Sequence, residues 1–130
     1  MKIMVGYDGS NSAKEAFSLA LSHAKAMGAA LVVATSMMRG RDTEREAIKD
    51  AENGLAWVKE RSAEASIDCT THLLIRGMSV GEDVVAFSQD AEVDLIYIGT
   101  RRRSRVGKLL MGSNAQYIIL NAPCPVTTTR

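Results

Sequence analysis

A chain of 130 residues, 46% hydrophobic, 24% charged and with a net charge of +1 at pH 7, has the composition of an ordinary soluble globular domain and the length to bury a core without metals or disulfide staples. No stretch approaches the roughly 20 apolar residues that span a bilayer, and MKIMVGYDGS at the start is no signal peptide, so a cytoplasmic protein folding as one domain over residues 1–130 is expected. The near-zero charge sets aside a general nucleic-acid or membrane binder.

The first apolar run, Lys2–Tyr7, ends in the turn signal Asp8-Gly9. Ala13, Ala16, Phe17, Ala20, Leu21, Ala24 and Met27 then recur at helical spacing, and Gly28 stands where a helix-closing glycine belongs. Leu31–Ser36 is a second strand, and Met37–Asp42, with Gly40 and two arginines, is a loop. Ala47, Ile48, Ala51, Leu55 and Val58 mark one face of a second helix, which an exposed Gly54 would weaken by about 1 kcal/mol relative to alanine. Cys69–Ile75 is the third strand, and Val80, Val84 and Phe87 mark the third helix. Asp94–Gly99 is the fourth strand. After a basic loop, Ala115, Ile118 and Ile119 mark the fourth helix, which stops before Pro123, and Val126–Thr129 is a terminal strand.

Four Ser/Thr-x-x-Glu/Gln pairs, Ser12/Glu15, Thr43/Glu46, Ser79/Glu82 and Ser113/Gln116, fall near these helix starts and read as capping boxes. Strand and helix alternate throughout, and three of the strands are nearly continuous apolar runs, as strands covered on both faces are. The expected architecture is α/β: three layers, a doubly wound, Rossmann-like sheet of parallel strands with helices on both faces. Such sheets bind ligands beyond the carboxyl ends of the strands, where the strand order reverses. Asp8 and Gly99 reach that crevice if their strands are neighbours there.

The sequence GTRRRSRVGKLLMGSNAQ, Gly99–Gln116, concentrates Arg101, Arg102, Arg103, Arg105 and Lys108. It is not a P-loop: Arg102 stands where the first glycine belongs and Leu109 where the hydroxyl belongs. GYDGSNS likewise fails the dinucleotide spacing. What remains is an anion site: Gly112-Ser113 opens a helix whose free N–H groups and positive dipole end face the crevice, and guanidinium groups fit phosphate oxygens in forked geometry. The plain alternative for the arginines is a solvated loop, for Ser113 a helix cap, and for Asp8 an Asp-Gly turn. His23 and His72 lack metal-ligand spacing, and Cys69 and Cys124 form no Cys-x-x-Cys pair.

Over essentially its whole length the chain resembles the universal stress protein family. ATP-binding members carry Gly, two residues, Gly, nine residues, then Gly-Ser/Thr. Gly99 matches the first glycine and Gly112-Ser113 the end at the right spacing, Arg102 replaces the second glycine, and Asp8, DLIYIG and APCPV (Ala122–Val126) match other parts of the pattern. The resemblance implies strand order 3-2-1-4-5. It also implies that Asp8 holds the adenosine part of a nucleotide, that backbone groups at Ser36 meet the base edge, and that Gly99, Gly112, Ser113 and Asn114 cradle ribose and phosphates, with Arg101 and Arg102 beside them. Arg102 would either block the phosphates or replace a lost backbone contact with charge. The ligand implied is ATP or AMP, ATP bringing Mg²⁺, and the partner implied is a second copy joined through the last strand. That strand, VTTTR, is more polar than the usual run of valines. The implied order separates the strands of Cys69 and Cys124 by about 19 Å, at roughly 4.8 Å per strand, too far for a disulfide.

The leading function is therefore a nucleotide-dependent regulator in stress response. The alternatives are a member that binds no nucleotide and acts through protein contacts, a slow ATPase or adenylating enzyme, and nucleic-acid binding through the arginine loop. The loop offers no evident general base and no interleaved aromatics for base stacking.

Overall fold

A computed structural model describes residues 1–38, 45–100 and 111–130. Strands and helices alternate as the sequence predicts: β1 (Lys2–Gly6), α1 (Asn11–Met27), β2 (Ala30–Ser36), α2 (Arg45–Glu64), β3 (Cys69–Leu74), α3 (Val80–Asp90), β4 (Leu95–Gly99), α4 (Ser113–Asn121) and β5 (Val126–Thr129). Strand bounds fall within a residue of those expected. The strands form one parallel sheet in the order β3-β2-β1-β4-β5. Met4 of β1 stands opposite Val32 of β2 and Ile96 of β4, so β1 is central. Among the described residues no helix is long and apolar enough to cross a membrane.

The period of two along each strand divides the core between the two faces of the sheet. Ile3, Val5, Leu31 and Val33 pack with Ala16, Phe17 and Ala20 of α1 and Leu55 and Val58 of α2. Met4, Ile96 and Ile98 point the other way, to Val84 and Val85 of α3 and Ala115 and Ile118 of α4. The fully buried alanines of α1 let that helix lie close on the sheet. Phe17 fills the space toward α2, edge-on to Tyr7 (6.4 Å) and Trp57 (5.7 Å). Gly54 is half-buried rather than exposed; a Cβ there would touch the Tyr7 ring at 3.4 Å. Ile119 points outward, 40% exposed, beside Leu120 at 81%. Cys69 and Cys124 are free thiols on opposite edge regions of the sheet.

Two of the expected caps are corrected. α1 is capped by Ser10, whose hydroxyl accepts the Ala13 N–H at 3.2 Å, and not by Ser12. The turn before it decides this: Gly9 takes φ +80°, Asp8 Oδ1 accepts the Ser10 N–H at 2.9 Å, and the helix is entered at Asn11. Ser12 is thus already helical and buried. In α4 the cap position belongs to Gly112, still extended at φ −67°, ψ 156°, and Ser113 is the first helical residue. Gln116 turns its side chain back to the Met111 carbonyl at 3.1 Å. Ser79 does cap α3, accepting the Glu82 N–H at 3.4 Å and donating to Glu82 Oε1 at 2.7 Å. Gly28, at φ 64°, closes α1 as expected. Thr43 lies outside the described residues.

Candidate functional site

The chain winds outward from β1 through β2 to β3, then crosses back by α3 to β4 on the other side of β1, so the strand order reverses between β1 and β4. That is the point where a doubly wound sheet opens a crevice at its carboxyl edge. A cavity of about 360 Å³ lies at this place, within the size range of small-molecule sites. Tyr7 and Asp8 line it from the turn after β1, Ser36 from the end of β2, and Gly99 and Thr100 from the end of β4. Val80 and Val84 of α3 form an apolar wall, and Gly112, Ser113 and Asn114 bring in the start of α4.

Asp8 is exposed at the mouth. Its turn role is real, since Oδ1 holds the Ser10 N–H, but among the described residues Oδ2 has no hydrogen-bond partner. The turn and a ligand contact can therefore share one carboxylate. Beside it Tyr7 is buried, and burial, followed by the charge of Asp8, raises its phenol above the ordinary value of 10.0.

Gly99 has a steric duty. A Cβ there would stand 2.5 Å from the carbonyl carbon and hydroxyl of Ser12 and 2.6 Å from the Ala13 nitrogen. Only a residue without a side chain lets the first turn of α1 lie against the end of β4. The same corner is tied to the edge strand: the Thr100 N–H and hydroxyl both reach the Thr129 carbonyl (2.7 and 2.8 Å), and the Thr129 hydroxyl donates to Ser12 O at 2.8 Å.

At α4 the backbone ladder begins with Gln116 N–H on Gly112 O at 3.1 Å. The N–H groups of Ser113, Asn114 and Ala115 precede it, as the first donors of any helix do, and they carry the positive end of the dipole. The Asn114 side chain is engaged elsewhere, its Oδ1 accepting the Gly81 N–H of α3 at 2.9 Å. Gly81 permits this approach, since a Cβ would lie 3.2 Å from the Asn114 carbonyl oxygen.

The Ser36 hydroxyl donates to Asp83 Oδ2 at 2.7 Å. Asp83 is fully buried, and its Oδ1 is gripped by Arg76 through Nε at 2.6 Å and Nη2 at 2.5 Å. A buried carboxylate needs such compensation. Arg76 also lies over the Phe87 ring at 5.8 Å.

Of the residues singled out from the sequence, Asp8, Ser36, Gly99, Gly112, Ser113 and Asn114 line one cavity. Arg101 and Arg102, with the rest of the basic cluster, lie outside the described residues. Sequence reasoning missed Asp83 and Arg76. A signal existed, because Asp83 interrupts the apolar stripe of Val80, Val84 and Phe87, and an acid on a core face needs a partner.

Fold and cavity together define a doubly wound α/β protein with its crevice at the switch point. The family model described as the universal stress protein family matches residues 1–130. A universal stress protein of Thermus aquaticus is 33% identical over 134 residues, covering 98% of this chain and 97% of its own. The structure of a universal stress protein from Archaeoglobus fulgidus superimposes with a TM-score of 0.90 at 33% identity, covering 100% of this chain and 98% of that one. A second, from the same organism in complex with dAMP, has a TM-score of 0.82 at 29% identity, again over 100% and 98%. The chain belongs to the universal stress protein family.

Proposed function

We propose that the protein binds an adenine nucleotide, ATP or AMP, in this crevice and acts in stress response as a nucleotide-dependent regulator rather than an enzyme. The observation that carries the reading is the convergence of Asp8, Ser36, Gly99 and Gly112–Asn114, distant in sequence, on one cavity of about 360 Å³ at the start of α4. Asp8 Oδ2 is available to ribose hydroxyls or an adenine amine. Backbone groups at Ser36 meet the base edge, and the α4 N–H groups meet the phosphates. Mg²⁺ arrives with ATP on its phosphates. The Archaeoglobus relative in complex with dAMP supports the same ligand class.

Calorimetric titration of nucleotide-free protein with ATP and Mg²⁺, and with AMP, tests this near physiological salt. Saturable binding of one nucleotide per chain is expected. No heat at millimolar nucleotide at two temperatures would sink the proposal and favour a member acting through protein contacts alone. The reading also includes a cytoplasmic homodimer. β5 is an edge of the sheet, and such an edge carries unpaired backbone groups suited to a second strand. Sedimentation velocity at micromolar protein should give twice the chain mass of 14.0 kDa; a monomer at that concentration would refute the dimer.

A further inference from the structure

The Ser36–Asp83–Arg76 chain has a chemical consequence that rests on the nucleotide reading above and deepens it. A hydroxyl has one proton and two lone pairs. The Ser36 proton is committed to Asp83 Oδ2 at 2.7 Å. That carboxylate is 0% exposed, and Arg76 holds its other oxygen through Nε at 2.6 Å and also donates to the Asp83 carbonyl at 3.3 Å. An ionised carboxylate paired in this way only accepts. Ser36 lines the cavity opposite no competing acceptor for its proton among the described residues, so it presents lone pairs alone to a ligand. Val80 and Val84, on the helix that carries Asp83, supply apolar surface for a flat ring beside it.

We propose that Ser36 Oγ selects the base. It accepts from a 6-amino group and disfavours a 6-oxo group, which would set two acceptors against each other. Asp83 and Arg76 are positioning residues that hold the hydroxyl in its accepting state. The hydroxyl so held contributes a preference for the 6-amino over the 6-oxo group of about tenfold or more, as sites built around a hydrogen bond discriminate.

The test is calorimetric titration of the full chain with AMP, IMP and purine riboside 5′-monophosphate, which share sugar and phosphate. Wild type should bind AMP at least about tenfold tighter than the other two. In Asp83→Asn, Arg76 keeps the amide oxygen, so the amide nitrogen donates to Ser36 and releases the serine proton toward the ligand. The AMP-to-IMP ratio should then fall by about tenfold or invert, a change that a merely structural role would not produce. Ser36→Ala, which leaves the buried ion pair and the backbone contacts at this position in place, should lower the AMP-to-IMP ratio by about threefold or more; it carries the test if Asp83→Asn does not fold. AMP and IMP binding equally to wild type, or an unchanged ratio in the variants, would overturn the inference and leave the nucleotide reading standing. If none of the three binds wild type, nor ATP, both fall together.

Discussion

Gly99 and Ser12 meet with no space between them: a Cβ on Gly99 would lie 2.5 Å from the Ser12 carbonyl carbon. The obstructing atoms are backbone at the start of α1, which a rotamer change cannot move. Gly99→Ala should therefore destabilise the fold by about 1–3 kcal/mol, the usual cost of overpacking. Gly6→Ala is the control, since its Cβ would meet only the Ile98 Cγ2 at 3.1 Å, and it should cost less. Urea denaturation of both variants checks the order. Equal stability of Gly99→Ala and wild type would show that the contact is not a constraint.

Asn114 links two helices. Its Oδ1 satisfies the Gly81 N–H in the first turn of α3, a donor without a partner in its own helix. Asn114→Ala should cost about 1 kcal/mol. Asn114→Asp keeps the acceptor and should retain most of the stability, while its added charge weakens ATP binding through repulsion. Thermal melts and ATP titrations at two salt concentrations separate the effects, and the loss of affinity in the aspartate variant should shrink as salt rises.

Arg102 stands at the position of the second glycine in the family motif that the chain resembles. Arg102 lies outside the described residues; if its charge replaces the lost backbone contact, as the resemblance allows, it favours the phosphates. Arg102→Gly should then weaken ATP binding about fivefold, the equivalent of about 1 kcal/mol for a solvent-accessible contact. Unchanged or tighter binding in that variant would mean the arginine adds nothing or obstructs.

Tyr7 gives the fold an alkaline limit. Burial, and then the neighbouring Asp8, raise its phenol above the ordinary value of 10.0. Below that value both folded and unfolded chains keep the proton, and the contribution to stability is complete. Above it the unfolded chain loses the proton first, so stability falls as pH climbs from about 10 through the raised value. Melting temperatures between pH 9 and 11 should drop more steeply for wild type than for Tyr7→Phe. Parallel curves would assign the alkaline loss to other groups.

The order of strands and helices was legible in the sequence because apolar periodicity and punctuation by glycine and proline are local. Gly28 ends α1 in the left-handed conformation for that reason. The spacing from Gly99 to Gly112-Ser113, with Asp8, carried the family resemblance, and that resemblance implied six residues that line one cavity. The capping boxes show where local pattern misleads. Ser12/Glu15 fits the motif as well as Ser79/Glu82 does, but the Asp8–Ser10 turn enters the helix two residues earlier and puts Ser12 inside it.

The sequence by itself determined the doubly wound fold and the family, because both rest on patterns of neighbouring residues and fixed spacings. Only the tertiary structure decided what individual side chains do at the crevice. Gly99 is glycine because α1 lies against it, Asn114 is occupied with α3, and the Ser36 hydroxyl donates its hydrogen bond to a buried Asp83 that Arg76 holds. Each is a relation between residues far apart in the chain. Burial and hydrogen-bond partners of that kind are fixed only when the strands and helices pack.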